Sequence, residues 1–267
     1  MVSSNTLIAK DIKAGYGDKN ILESVNIHIP ENKISVILGS NGSGKSTMLK
    51  TFCRLICPTA GVITLNDKSL SCIRSKDIAK AIGLLPQTSI APEGIKVAEL
   101  VSRGRYPHRK FMSPLTKEDY IAIEQAMDAM KITELADASI DELSGGQRQR
   151  VFIALALAQE TDILFLDEPT TYLDIAYQIE ILDLLKELNK KRGTTIVMVL
   201  HDINLSTKYA DYLFAMKKGR LIKEGTPNEI ITEETIKEIY GINSVIVPDP
   251  ISNNPLVVPI SSHDVTN

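Results

Sequence analysis

Three short segments carry residues whose types and spacing suit chemistry on a phosphate. Gly39-Ser40-Asn41-Gly42-Ser43-Gly44-Lys45-Ser46, followed by Thr47, satisfies the phosphate-loop pattern G-x-x-x-x-G-K-S. Its glycines let consecutive backbone N–H groups converge on phosphate oxygens, and a helix starting at Lys45 adds a favourable dipole. Lys45 can reach terminal phosphates, and the Ser46 hydroxyl can ligate magnesium. Ile163-Leu164-Phe165-Leu166-Asp167-Glu168 is an apolar stretch ending in two carboxylates with different tasks. Asp167 suits a magnesium shell, and Glu168 suits polarising an attacking water as general base. In Leu143-Ser144-Gly145-Gly146-Gln147, Ser144 can cap the following helix while the two glycines let an anion approach the backbone. One chain thus holds two phosphate-type sites.

Such residues work only if elements aim them. Residues 6–38 predict three strands, with Val25, Ile27 and Ile29, then Ile34, Val36 and Leu38, alternating with other residues. From Lys45 to Ile56 the apolar positions recur at helical spacing, so the phosphate loop is a strand-to-helix turn. Residues 61–85 predict short strands around a small helix, ending in the strand Ile82 to Leu85. Residues 90–160 are mainly helical, with Thr116 and Asp119 spaced as a capping box before a helix reaching about Met130. Ile163 to Leu166 and Thr194 to Leu200 are apolar strands separated by a helix from Ile175 to Lys191, the arrangement of a parallel α/β sheet. Ligands of such sheets sit at the C-terminal ends of the strands, where Asp167 and Glu168 fall.

Composition is that of an ordinary globular chain, with 43% hydrophobic and 24% charged residues. A net charge of -3 gives no overall basic field for nucleic acid, and no basic stripe is present, so no nucleic-acid partner is expected. The start of the chain lacks a signal-peptide pattern, and no apolar run approaches the roughly 18 to 20 residues of a membrane span. Cys53, Cys57 and Cys72 form no CxxC pair and predict neither a disulfide framework nor a zinc site; Cys53 and Cys57 lie four apart on a predicted helix, where small buried hydrophobes are the simpler reading.

The segment Leu143 to Gln147 resembles the signature sequence of ATP-binding cassette (ABC) proteins, and the other motifs follow in that family's order along almost the whole chain. The resemblance implies an α/β fold: a phosphate-loop (RecA-like) ATPase core with an antiparallel β subdomain and an inserted α-helical subdomain. The ATPase domain would span residues 1–228, with the helical subdomain at about 89–156, and residues 229–267 would form an appendage. It also implies ATP and Mg²⁺ as ligands. Further matches fall at the family's spacing: Tyr16 to stack on adenine, Gln87 to touch magnesium or water and report ligand state, Asp174 after the acidic pair, and His201 to contact the γ-phosphate. Ser144, Gly145, Gly146 and Gln147 would close over ATP held by a second copy, giving a homodimer with two composite sites.

Within the family, Pro92 to Ile95, Arg103 to His108, Thr170 to Ile175 and the tail segments Val247 to Pro250 and Asn254 to Leu256 resemble the ATPases of ferric siderophore importers. Haem or cobalamin import is the alternative cargo. A soluble ABC ATPase of DNA repair or translation is the competing class, which usually carries two cassettes or a long coiled-coil insertion. The implied partners are integral membrane permease subunits and, indirectly, an extracytoplasmic substrate-binding protein, at the cytoplasmic face of the membrane. Ser40 and Ala176-Tyr177 depart from the pattern, which often has proline and an x-His pair there. The permease-docking surface is expected near residues 88–115, with Arg103, Arg105, Arg109 and Lys110 available to acidic groups.

Overall fold

The computed structural model describes residues 5–17, 19–110 and 113–261. In chain order its elements are β1 (Leu7–Tyr16), β2 (Lys19–Ile29), β3 (Ile34–Leu38), α1 (Lys45–Phe52), β4 (Ala60–Leu65), β5 (Lys68–Ser69), α2 (Ser75–Ala81) and β6 (Ile82–Leu85). There follow α3 (Val97–Ser102), α4 (Lys117–Ala129), α5 (Gly145–Leu157), β7 (Ile163–Asp167), α6 (Ile175–Arg192), β8 (Thr195–Val199) and α7 (Ile203–Tyr209). The chain closes with β9 (Tyr212–Lys217), β10 (Arg220–Gly225), α8 (Pro227–Ile230), α9 (Glu233–Tyr240), β11 (Ser244–Pro248) and β12 (Pro255–Pro259). It divides into two compact units, one built from Ser71–Ile196 with the start of the chain, the other from Thr6–Leu70 with the chain from Val197 onward.

The second unit carries the phosphate loop. Its antiparallel sheet has the order β2-β1-β4-β5. Along β1 the buried residues change phase, from Leu7 and Ala9 to Ile12 and Ala14. A register shift between Ala9 and Ile12 causes the change, with Asp11 at φ 52. A bulge of this kind turns the next side chains to the opposite face, which keeps the apolar set inside. β3 is buried at every position and pairs in parallel with β9, which pairs antiparallel with β10. Continuous burial is the mark of a strand covered on both faces.

Helix α1 is shorter than the apolar spacing suggests. It stops at Phe52, and Arg54 adopts φ 54 just beyond. Cys53 is then half-buried while Cys57 is exposed, so the two do not share a helical face. Burial pushes the Cys53 thiol well up from its usual range, which keeps it an unreactive packing group. Among the described residues no cluster of His, Cys, Asp and Glu suits a metal ion.

The first unit carries the acidic pair and the second glycine segment. β6 pairs in parallel with β7, from Ile82 opposite Ile163 to Leu85 opposite Leu166. Helices α3, α4 and α5 pack on one another. Thr116 and Asp119 make both arms of the capping box that starts α4. One expectation fails here. Arg105 is 4% exposed, and its guanidinium donates to Asp119 at 2.8 Å, to the Ala158 carbonyl at 2.7 Å and to Glu160 at 2.6 Å. It pins the loop after α3 to α4 and to the end of α5, and so does not face a partner. The run it belongs to reads as uniformly basic in sequence, but a buried arginine survives only with its donors matched, as here. Burial alone would raise the Asp119 carboxyl; the Thr116 N–H and the Arg105 guanidinium outweigh it and hold the group below its usual range.

Candidate functional site

The phosphate loop leaves β3 at Gly39 and enters α1 at Lys45. Gly42 and Gly44 have φ of 76 and 103, conformations that favour glycine. A Cβ on Gly42 would meet nothing within 4 Å, in keeping with the exposure of the loop at that residue. Ser43 is 2% exposed and its hydroxyl has no hydrogen-bond partner among the described residues. A buried hydroxyl left unpaired in such a loop fits an anion that completes it. Lys45 is 6% exposed, and its ammonium donates to the carbonyls of Gly39 at 2.8 Å and Ser40 at 3.1 Å. Ser46 and Thr47 follow Lys45 in the first turn of α1, and Asn41 is exposed in the loop.

Two further contacts grip this loop. The Gly219 N–H donates to the Ser43 carbonyl at 2.9 Å, and the Gly219 carbonyl accepts from Glu23 N–H at 2.9 Å. Gly219 lies in the turn between β9 and β10 at φ 77, and a Cβ there would fall 1.9 Å from the Ile21 carbonyl oxygen. The Tyr240 hydroxyl accepts the Gly39 N–H at 3.2 Å. Neither residue stands out in the sequence as part of a site. The Lys218-Gly219 pair between two strand-like runs is a legible hairpin turn, but nothing local tells which loop the turn supports.

In the first unit, Asp167 ends β7 and is 2% exposed. Glu168 follows at φ 55, a costly conformation for a non-glycine residue. Its carboxylate accepts from the Gln87 amide at 2.7 Å and from the Thr171 hydroxyl at 3.1 Å. The structure thus brings Gln87 and Glu168 together across 81 residues of sequence. Asp174 caps α6, accepting the Tyr177 N–H at 3.0 Å.

The second glycine segment starts α5. Ser144 and Gln147 form a complete capping box, with the Gln147 N–H donating to the Ser144 hydroxyl at 3.3 Å and the Ser144 N–H to the Gln147 side chain at 3.0 Å. Gly145 and Gly146 are therefore the first two helical residues, whose N–H groups have no intrahelical acceptor. Gly146 lies under the Tyr177 ring, which a Cβ would approach to 2.6 Å, whereas one on Gly145 would meet only Leu173 at 3.8 Å. Tyr16 is 53% exposed at the end of β1, and His201 is exposed just after β8.

The model of the ABC transporter family matches residues 22–171, more than half of the chain. The chain belongs to the ABC transporter family. It is 47% identical over 95% of its length to the ferric enterobactin transport ATP-binding protein FepC of Escherichia coli, covering 94% of that protein. It is 49% identical over 94% of its length to the iron(3+)-hydroxamate import ATP-binding protein FhuC of Bacillus subtilis, again covering 94% of it. Among solved structures, a metal-chelate type ABC transporter in an inward-facing conformation superposes with a TM-score of 0.84 at 28% identity, over 97% of this chain and 99% of that one. The expected α/β phosphate-loop fold is borne out. As a member of the family the chain is an ATP-binding ATPase coupled to transport. No helix among the described residues is long and apolar enough to cross a membrane.

Proposed function

We propose that this chain is the ATPase subunit of a bacterial importer of ferric siderophores. Identities of 47% and 49% over nearly the full length of two siderophore-system ATPases carry the cargo assignment. Those two relatives serve chemically different chelators by name, so the common denominator is the ferric chelate class. The domain reading, with an ATPase domain at residues 1–228 and an appendage at 229–267, belongs to the same proposal.

In the mechanism, the loop amides of residues 42–46 and Lys45 bind and neutralise the triphosphate, and Tyr16 stacks on adenine. Ser46, Asp167 and Gln87 would hold Mg²⁺, which would supply charge neutralisation to the triphosphate. Glu168 takes a proton from water as the water oxygen bonds to the γ-phosphorus and the bond to the ADP oxygen breaks, leaving its electron pair on ADP. His201 steadies the γ-phosphate, and Asp174 sets the start of α6. The 2.7 Å Gln87 contact supports the Glu168 assignment, since it holds the carboxylate at a defined orientation. Ser144, Gly145, Gly146 and Gln147 act on ATP held by a second copy. ATP closes this homodimer and hydrolysis releases it, a population shift toward the state that binds ATP best.

Movement is passed to permease subunits at the cytoplasmic face of the membrane, and through them to an extracytoplasmic binding protein. A groove of about 610 Å³ lined by Ser75, Lys76, Tyr106, Pro107, Arg109 and Lys110 supports this face as the docking surface. Tyr106 is 79% exposed beside it.

Purified transporter in liposomes tests the assignment. Siderophore uptake should require ATP and stop with Glu168→Gln, whose hydrolysis should fall about 10²- to 10⁴-fold while ATP still binds. Cobalamin or haem uptake without siderophore uptake would replace the cargo, and near-normal phosphate release by the mutant would remove Glu168 as the base.

A further inference from the structure

The appendage reaches the phosphate loop by a route that the family's motifs do not include. Tyr240 ends α9, and its hydroxyl accepts the N–H of Gly39, one residue beyond β3. The carbonyl of Gly39 in turn accepts the Lys45 ammonium at 2.8 Å. Both sides of one glycine are therefore tied, the first to the appendage and the second to the cation that meets the phosphates. Gly39 has little freedom otherwise: a Cβ there would lie 2.5 Å from the Ser43 hydroxyl and 2.6 Å from the Met216 carbonyl. Burial pushes the Tyr240 phenol up to about 12, so it stays neutral across the working range and keeps the same hydrogen-bonding capacity.

The helix that delivers this hydroxyl is itself anchored in the second unit. The Thr232 side chain caps α9 by accepting the Thr235 N–H at 3.2 Å, and the Lys223 ammonium on β10 donates to the Thr235 hydroxyl at 3.1 Å. Ile236 and Ile239 are buried on the same helix. Behind α9, the hairpin β11–β12 is held to α7 by Asn204, which exchanges bonds with both backbone groups of Val257 at 3.2 and 2.8 Å. A hydroxyl carried on a helix fixed this firmly is suited to hold a backbone group in place rather than to follow it.

We propose that Tyr240 is a positioning residue for the phosphate loop: its hydroxyl holds the N–H of Gly39, whose carbonyl on the next peptide holds the Lys45 ammonium, and the pair of contacts sets the affinity for the triphosphate. The proposal rests on the reading of residues 39–47 as the ATP site. Tyr240→Phe keeps the ring and removes the acceptor, leaving the Gly39 N–H unpaired. Losing one net hydrogen bond should raise the Kd and the KM for ATP about 3- to 10-fold. kcat at saturating ATP should stay within about two-fold, because bound triphosphate restores the loop.

The test is calorimetric titration of the full chain with ATP and magnesium, together with steady-state kinetics, on wild type, Lys45→Ala, Tyr240→Phe and Thr232→Ala. Thr232→Ala weakens the far end of α9 without touching Gly39, and should lower thermal stability while leaving ATP affinity unchanged. Wild-type affinity and KM in Tyr240→Phe, with binding still lost in Lys45→Ala, would overturn the proposal and leave the ATP site standing. Equal losses in Tyr240→Phe and Thr232→Ala would overturn it too, by showing that α9 acts through stability alone. ATP binding that survives in Lys45→Ala would instead remove the reading beneath it. Should Tyr240→Phe not fold, the Gly39 amide of the wild-type chain decides: slow hydrogen exchange without nucleotide supports the proposal, and exchange at the rate of an exposed loop overturns it.

Discussion

The chain starts two helices on glycine-bearing turns suited to phosphate, and the two turns are built in opposite ways. At α1 the turn is held from outside: Gly219 and Tyr240 each fix one of its peptides, Lys45 folds back onto it, and Lys45 and Ser43 are buried. At α5 the turn holds itself through the Ser144–Gln147 box, and Ser144 and Gly145 are exposed. The first arrangement is a largely buried loop gripped by distant parts of its own unit. The second leaves Ser144 and Gly145 at the surface while Gly146 stays buried beside Tyr177. An exposed, preorganised helix start is what the proposed composite site between two copies requires.

The largest effects should come from breaking each turn's proposed contact with phosphate, and they should differ in kind. Lys45→Ala removes a charge from the pocket, so ATP binding itself should fail, with hydrolysis reduced by at least about 10²-fold. Gly145→Asp should leave ATP binding by the single chain near normal and abolish ATP-dependent dimerisation and turnover, because its carboxylate would face a phosphate of like charge. The side chain has room within the chain, since the nearest atom to a Cβ there is Leu173 at 3.8 Å. The mutant should therefore fold, and normal ATP binding by the single chain checks that it has. Titration calorimetry and size-exclusion chromatography with ATP separate the two outcomes, and normal dimerisation of Gly145→Asp would break the comparison.

Of intermediate size is the response to adding a methyl group near each turn. Gly219→Ala puts a Cβ 1.9 Å from the Ile21 carbonyl at φ 77, where the obstacle is backbone. Stability should fall by about 1 to 3 kcal/mol, with weaker ATP binding because the backbone shift that relieves the clash pulls the residue 219 N–H away from the Ser43 carbonyl. Gly146→Ala meets the Tyr177 ring, a side chain 36% exposed that can turn aside. Its cost should be smaller, and Tyr177→Ala should relieve it; chemical denaturation of the single and double mutants measures both. Equal costs would show that the α5 turn is gripped as tightly as the α1 turn.

Sequence reading recovers each turn's own residues because their causes are local. The glycine spacing around Lys45, the placing of Ser144 just ahead of two glycines and Gln147, and the acidic pair after an apolar strand all act within a few positions of themselves. What holds the α1 turn is not local: Tyr240 meets Gly39 across 201 residues. A tyrosine near the end of an amphipathic helix carries no mark of which backbone group it will reach. Arg105 misleads for the same reason. Its partners Asp119 and Glu160 lie 14 and 55 residues on, so the run looks like a basic surface until the helices pack. The bulge in β1 is equally hidden, because two short alternations of opposite phase read as one imperfect strand.

The smallest expected effect tests whether the α5 turn really holds itself. Ser144→Ala removes the hydroxyl that accepts the Gln147 N–H, and cap losses typically cost about 1 kcal/mol. The helix should survive, because Val151, Ile153, Ala154 and Ala156 remain buried along it. Its first turn should fray, exposing the Gly145 and Gly146 N–H groups to a range of directions rather than one. Amide exchange of residues 145–148 should therefore quicken several-fold while the body of α5 stays protected, and ATP binding to the single chain should not change. If those amides exchange as in the wild type, the box is not what holds the turn, and Tyr177 over Gly146 becomes the better candidate.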